Sequence, residues 1–243
     1  MTALEHCLIP DWPAPASVKA LQTTRGGGFS ASPYTSFNLG SHVGDAPLAV
    51  AKNRMLLSPH LPSEPVWLNQ VHGTTVVDAA AASCLPQADA CITHHRQAVC
   101  VVMTADCLPV LLCDEQGTTV GAAHAGWRGL CDGVIEATVQ AMQVAPQNLM
   151  AWLGPAIGAQ AFEVGAEVRA AFIAKQPAAV AAFTPVADKY LADIYHLARL
   201  RLHALGVTRI YGAEHCTYSD PARFFSYRRD GVTGRMGTFI WLD

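Results

Sequence analysis

Residues 99–130 read VCVVMTADCLPVLLCDEQGTTVGAAHAGWRGL, and the way apolar runs alternate with polar interruptions here sets the reading of the whole chain. Val99–Met103 and Leu108–Cys113 are short, apolar and rich in β-branched residues, the composition of buried strands. Between them, Thr104-Ala105-Asp106-Cys107 places a carboxylate and a thiol where packing alone would ask for valine. Thr119–Ala123 is a third apolar run ending at His124. Gly126, Gly129 and Gly133 then punctuate the turn into a helix predicted from Leu130 to Gln143. Cys107 and His124 thus each stand at the end of a predicted strand. Upstream, Val66–Val77 (VWLNQVHGTTVV) reads as a further strand with His72 in its middle and Gly73 beside it, a residue that lets another group approach the backbone. Gln70, two positions before His72, falls on the same face.

One thiolate and two imidazoles are borderline-soft donors that suit Zn²⁺. Three protein donors leave a fourth tetrahedral position open, as in catalytic rather than structural zinc sites. The cysteines, at 7, 84, 91, 100, 107, 113, 131 and 216, include no Cys-x-x-Cys pair, which argues against a closed zinc finger. Three readings of His72, Cys107 and His124 stay open on these grounds. They form a metal-ligand set, or a metal-free pair with Cys107 as nucleophile and a histidine as base, or ordinary hydrogen-bonded core residues. A cysteine with two histidines also suits copper, but none of the histidines forms the His-x-His pair that multicopper oxidation uses, so copper here would be an adventitious occupant. Asp106 is either a general acid/base or, the favoured reading, a hydrogen-bond partner to a metal ligand.

The rest of the chain alternates helices and strands. Met1–Ala20 is a proline-rich lead-in whose Leu4, Leu8, Ile9 and Trp12 can still pack. In Thr23–Asp45, Arg25 precedes Gly26-Gly27-Gly28, a combination able to form an anion nest beside a guanidinium fork. Ala46–Leu57 has helical spacing, with Leu48, Val50, Leu56 and Leu57 as its core. Ala88–Thr93 leads into a strand, and His94-His95, facing opposite ways, reads as a solvated turn. Leu149–Leu153 is a strand, Gly165–Lys175 a helix with Val168, Ala171 and Phe172 buried, and Leu191–Leu205 an amphipathic helix capped at Gly206, with His196 and His203 on its face. Val207–Tyr211 returns as a strand. Phe224–Asp230 then gathers Tyr227, Arg228 and Arg229, which with Arg235 suit an anion or an aromatic base.

At 243 residues, 51% hydrophobic and 14% charged, the chain is expected to fold as one α+β (α/β mixed) domain over residues 1–243. A net charge of -3 gives no general attraction to nucleic acid or anionic membranes. The N-terminus lacks the basic start and apolar core of a signal peptide, and the longest apolar run is broken by Asp106, so no membrane span is expected. With eight cysteines and no secretion signal, a reducing cytoplasm is the expected location. No G-x-G-x-x-G follows a strand, which argues against a dinucleotide cofactor.

Four segments, Thr23–Asp45, Asn69–Gly73 (NQVHG), Thr104–Leu112 (TADCLPVLL) and Gly121–Gly129 (GAAHAGWRG), together with the C-terminal FFSYRRDGVTGRMGTFIWL, resemble in order the YfiH (DUF152) family, once described as polyphenol oxidases or laccase-like proteins. The resemblance covers nearly the whole chain. It implies layered mixed sheets flanked by helices, and a zinc-dependent purine nucleoside phosphorylase. Such an enzyme converts adenosine, inosine, guanosine or 5′-methylthioadenosine and phosphate to free base and (methylthio)ribose 1-phosphate. It also implies adenosine deamination, although the zinc-deaminase signature H-x-E with P-C-x-x-C is absent. The family's metal ligands fall on His72, Cys107 and His124. For phosphate, Arg25 and the Arg228/Arg229 patch are the candidates, with Arg128 in reserve.

Overall fold

In the computed structural model, which describes residues 3–243, strands Val99–Thr104 and Leu108–Asp114 are buried at every position. Each is covered on both faces, which is why neither shows polar alternation. Val99, Val101 and Met103 face one core, and Cys100 and Val102 face a second. Leu111 and Cys113 share that second core, while Leu108, Val110 and Leu112 face a third.

These cores separate four layers. Val99–Thr104 belongs to a four-stranded antiparallel sheet in the order Cys7–Leu8, Val18–Thr23, Met236–Leu242, Val99–Thr104. Leu108–Asp114 belongs to a mixed six-stranded sheet in the order Arg209–Gly212, Leu149–Leu153, Leu108–Asp114, Val120–Ala125, Ala90–Thr93, Val76–Asp78. Its first and last pairs are parallel and the others antiparallel. The second core lies between the two sheets. Helices Trp127–Asp132, Val134–Met142 and Ile194–Leu205 close the outer face of the larger sheet. Phe37, Leu39 and helix Pro47–Leu57 close that of the smaller. A small three-stranded sheet, Phe183–Val186, Lys189–Ala192 and Glu163–Val164, sits at one end. The turn at residues 105–107 carries the chain from one stacked sheet to the other, so Asp106 and Cys107 lie at their junction.

Several sequence expectations need correction. Of Val66–Val77 only Val76 onward is strand, in Val76–Asp78. The rest is a loop that meets a sheet through one bridge, Val66 to Cys100, and a neighbouring loop through another, Asn69 to Gln87. The helix expected at Leu130–Gln143 begins earlier and breaks in two at Gly133, whose φ of 108° no helix interior accepts. Lys189–Ala192 is a strand because it pairs on both sides, so the helix starts only at Ile194, capped by Asp193 accepting from the His196 backbone N–H (2.9 Å). Helix Pro47–Leu57 buries Val50, Asn53 and Leu57, while Leu48 is 68% exposed. In the lead-in, Leu8 and Trp12 pack against the cores and Ile9 is exposed; the Leu4 side chain lies outside the described residues. Among the described residues no helix is long and apolar enough to cross a membrane.

Leu111 lies wholly buried in the core between the two sheets. Leu111→Ala should cost about 2–5 kcal/mol of stability, read from the urea midpoint.

Candidate active site

The site is assembled around a carboxylate. Asp89 immediately precedes strand Ala90–Thr93 and is fully buried. Its Oδ1 accepts from His124 Nδ1 (2.8 Å) and the His72 backbone N–H (2.9 Å), and its Oδ2 from the Val71 (3.1 Å) and Gly73 (2.6 Å) N–H groups. Burial pushes this carboxyl up, but the hydrogen bonds from His124, Gly73 and Val71 outweigh it and hold the group below its ordinary range. The N–H groups that a strand would have given to a neighbour go to Asp89 instead. Hence residues 71–73 form a loop, in which His72 has a φ of 61°.

His124 sits in strand Val120–Ala125 opposite Pro109, on the same side as Ala122, so its ring reaches into the gap between the sheets. Its Nδ1–H is held by Asp89, so that once the ring is neutral Nε2 is the lone-pair donor, the carboxylate–histidine arrangement common behind metal ions. Cys107 Sγ lies 3.9 Å from His72 Nε2, and the His72 and His124 rings are 4.8 Å apart. The donor atoms of His72, Cys107 and His124 all fall within 4.8 Å of one another. A four-coordinate ion with bonds of this class asks for donor separations of roughly 3.3–3.8 Å, a contraction of about 1–1.5 Å for the most widely spaced pair. Gly126 makes the approach possible, since a Cβ there would lie 2.8 Å from the His72 ring and 3.0 Å from Cys107 Sγ. The three residues can hold a metal ion, as the sequence expects.

Electrostatics prepare the donors. Burial pushes the Cys107 thiol up, but His124 foremost and then His72 outweigh it and bring it down to about 6. Burial pushes His124 down, while Cys107 and Asp89 outweigh it and lift it to about 9. Between those values the pair stands as thiolate and imidazolium.

Two clefts flank the cluster and share Ala105, Cys107 and Tyr227 as a common wall. One, of about 390 Å³, is lined by His42, Gln70, His72, Met103, Thr104, His124 and Arg235. The other, of about 250 Å³, is lined by Asp106, Trp127, Arg128, Ile157, Phe162, Ile194 and Arg228.

The remaining sequence candidates divide by how their polar atoms are spent. Arg25 lines neither cleft. Its Nε and Nη1 donate to the carbonyls of Thr35 (3.1 Å) and Pro221 (2.9 Å), and it stacks on Phe225, so it ties two loops together. The glycine nest is likewise occupied internally, with the Gly28 N–H on Ser36 Oγ and the Phe29 N–H on Asn53 Oδ1. Arg229 is saturated by Asp230 and the carbonyls of Thr217, Tyr218 and Phe224. Gln70 lines the larger cleft with its amide paired to both backbone groups of Met103 (2.7 and 2.8 Å), which pins the His72 loop. Asp106 bonds to no metal ligand. Its oxygens accept from Thr217 Oγ1 and the Arg228 N–H, each at 2.6 Å, and orient the Tyr227–Asp230 helix. Arg128 and Arg228 line the smaller cleft against Trp127 and Phe162. Asp89, His42 and Thr104 are additions. The signal for Asp89 in the sequence is an ionisable side chain amid Ala88 and Ala90, where a buried strand begins.

The profile of a family described as multi-copper polyphenol oxidoreductase laccase matches residues 19–243. The chain is 55% identical over 242 residues to the protein named purine nucleoside phosphorylase YfiH of Escherichia coli, covering 98% of this chain and 100% of that one. It is 55% identical over 238 residues to a protein of Pseudomonas aeruginosa also named as a purine nucleoside phosphorylase, covering 97% and 98%. A crystal structure of a DUF152 protein from Neisseria meningitidis superposes with a TM-score of 0.95 at 54% identity, covering 98% and 99%. The chain belongs to the YfiH (DUF152) family.

Two outcomes are expected. In Asp89→Asn the amide donates to His124 Nδ1 and moves the ring proton to Nε2, so metal affinity in a chelator-competition titration should fall about 10–100-fold. Unchanged affinity would remove Asp89 from this role. Metal binding needs a thiolate and a neutral imidazole. Near neutral pH Cys107 has already lost its proton and His124 has not, so metal uptake should release about one proton from this pair. Below about pH 6 the thiol adds its own proton to the release, and above about pH 9 the release fades. Calorimetry in buffers of different ionisation enthalpy reads this directly.

Proposed function

We propose that the protein is a zinc-dependent purine nucleoside phosphorylase that acts on adenosine, inosine, guanosine or 5′-methylthioadenosine. The observation that carries this reading is the donor cluster His72, Cys107 and His124, whose Cys107 is common to two clefts, one lined by Arg235 and the other by Trp127 and Phe162. Relatives at 55% identity that bear the phosphorylase name support it. In the reaction the bond from C1′ to the purine nitrogen breaks with its electron pair going to the base. An oxygen of hydrogen phosphate bonds to C1′ and the proton that phosphate gives up passes to the purine nitrogen, leaving free base and ribose 1-phosphate.

Residues divide the work by chemistry. Trp127 and Phe162 offer faces on which a purine stacks, with Arg128 and Arg228 beside them for cation–π contact. Cys107 and Tyr227, common to both clefts, place the sugar between base and phosphate. Asp89 holds His124 in the tautomer that ligates. Zinc, when bound, supplies a Lewis acid that stabilises negative charge developing beside it. Adenosine deamination, as a second activity, draws on the same open metal position. The eight free cysteines fit a reducing cytoplasm as the place of action.

The donor set favours zinc over the copper chemistry of the family's description. A thiolate and two imidazoles suit one ion, and among the described residues no second group of three such side chains accompanies it. The thiolate–imidazolium pair also suits a metal-free cysteine hydrolase. Chelation separates the two. Incubated with adenosine, the protein should yield adenine only when phosphate is present and zinc is retained. Full turnover after complete metal removal would point to Cys107 as nucleophile, and inosine formed without phosphate would identify a deaminase.

A further inference from the structure

Phosphorolysis needs a place for an oxyanion, and most of the cations that the sequence nominates are committed elsewhere. Arg25 and Arg229 are spent on backbone carbonyls and Asp230, and Arg228 Nη1 donates to the Glu163 carbonyl (2.9 Å). Arg235 differs. Its Nη1 donates to the carbonyls of Thr233 and Gly234 (3.0 Å each), while its Nε and Nη2 have no hydrogen-bond partner among the described residues. No carboxylate pairs with it there. A largely buried guanidinium with no salt-bridged carboxylate is costly to maintain, and the charges that act on it in compensation are first those of Cys107 and Asp106.

We infer that Arg235, with His42 and Thr104, forms the oxyanion subsite that takes inorganic phosphate in the cleft beside the metal cluster; the assignment rests on the phosphorylase reading. Three further observations support it. First, the arginine is deliberately seated. Its stem runs past Gly40, where a Cβ would lie 2.8 Å from Arg235 Cγ and 3.2 Å from its Cβ. Asn38 Oδ1 accepts from both the Gly40 N–H (2.9 Å) and the Arg235 N–H (2.8 Å), clamping the two segments together. The Asn38-Leu39-Gly40-Ser41-His42 stretch therefore builds this wall, and it delivers His42 to the same cleft.

Second, Thr104 lines that cleft, is 1% exposed, and has a hydroxyl with no hydrogen-bond partner. Buried hydroxyls are almost always satisfied, so an orphan in the cleft that also holds the partly unpaired Arg235 guanidinium marks the place of an acceptor that arrives from outside. Third, burial and the neighbouring charges of Arg235 and Arg54 hold the His42 imidazole below its ordinary range, the signature of a positive field at this end of the cleft. A planar fork, a hydroxyl donor and an imidazole are the donors a tetrahedral oxyanion uses. The Cys107 and Tyr227 wall separates this subsite from the aromatic cleft, so a nucleoside's sugar between them meets phosphate on one side and keeps its base on the other.

The test titrates inorganic phosphate into the zinc-loaded protein by calorimetry, and measures KM for phosphate and for nucleoside. Arg235→Gln should weaken phosphate binding and raise the phosphate KM at least about tenfold, with nucleoside KM and zinc content little changed. Gly40→Ala, which leaves the charge but displaces its stem, should move the same parameter in the same direction. Arg235→Lys, keeping the charge without the fork, should fall between, and serves if the glutamine variant loses its near-ultraviolet circular dichroism. Phosphate binding unchanged in Arg235→Gln, or lost instead in Arg228→Gln, would overturn the assignment. A protein that binds phosphate through Arg235 yet cleaves no purine nucleoside would refute the phosphorylase reading and leave the subsite standing.

Discussion

One buried carboxylate holds the site together. Asp89 has no exposed surface, and four hydrogen bonds join it to a strand residue, His124, and to three consecutive N–H groups of the His72 loop. Hydrogen bonds to a charged acceptor contribute about 1.5–3 kcal/mol each, and together they offset the cost of taking the charge out of water. They also settle two pieces of geometry, the first together with the Gln70 amide on Met103. The loop bends to bring the His72 ring 4.8 Å from that of His124, and His124 presents its other nitrogen to Cys107. The sheets themselves supply only Cys107 and His124, one at the crossing between sheets and one near a strand end.

The position of the site follows from the layering. The chain passes from the smaller sheet to the larger through residues 105–107, and at that junction the core between the sheets gives way to clefts. Glycines make the junction passable. Gly126 clears space for the His72 ring and Cys107 Sγ, and Gly40 clears space for the Arg235 stem. Gly126 comes from a stretch that the sequence reads as a turn. At both positions, what the glycine provides is the absence of a Cβ beside a side chain that belongs to the site.

Much of the fold is legible in the sequence where burial is complete. Val99–Thr104, Leu108–Asp114 and Leu149–Leu153 are continuous apolar runs because they are buried on both faces, and such runs need no periodicity to be recognised. Legibility fails where a tertiary partner takes over the backbone. Residues 66–75 have the composition of a strand, yet the N–H groups at 71–73 serve a carboxylate distant in sequence, which local pattern cannot show. Leu191 and Ala192 read as the start of a helix and instead end the strand Lys189–Ala192, because strands on both sides claim it. The same limit applies to the site. Donor chemistry singles out His72, Cys107 and His124, and the structure gathers them. Which arginine faces the cleft depends on where each guanidinium is already spent, and Arg25, nominated by its glycines, turns out to brace two loops.

The central claim is that His72, Cys107 and His124 hold a single ion in a site prepared by Asp89. X-ray absorption at the zinc edge of the metal-loaded protein tests it most directly. The account expects one sulfur at about 2.3 Å, two imidazole nitrogens at about 2.0–2.1 Å and one further light ligand. That sulfur should disappear from the spectrum in Cys107→Ser. A first shell without sulfur in the unaltered protein, or one unchanged by that substitution, would contradict it.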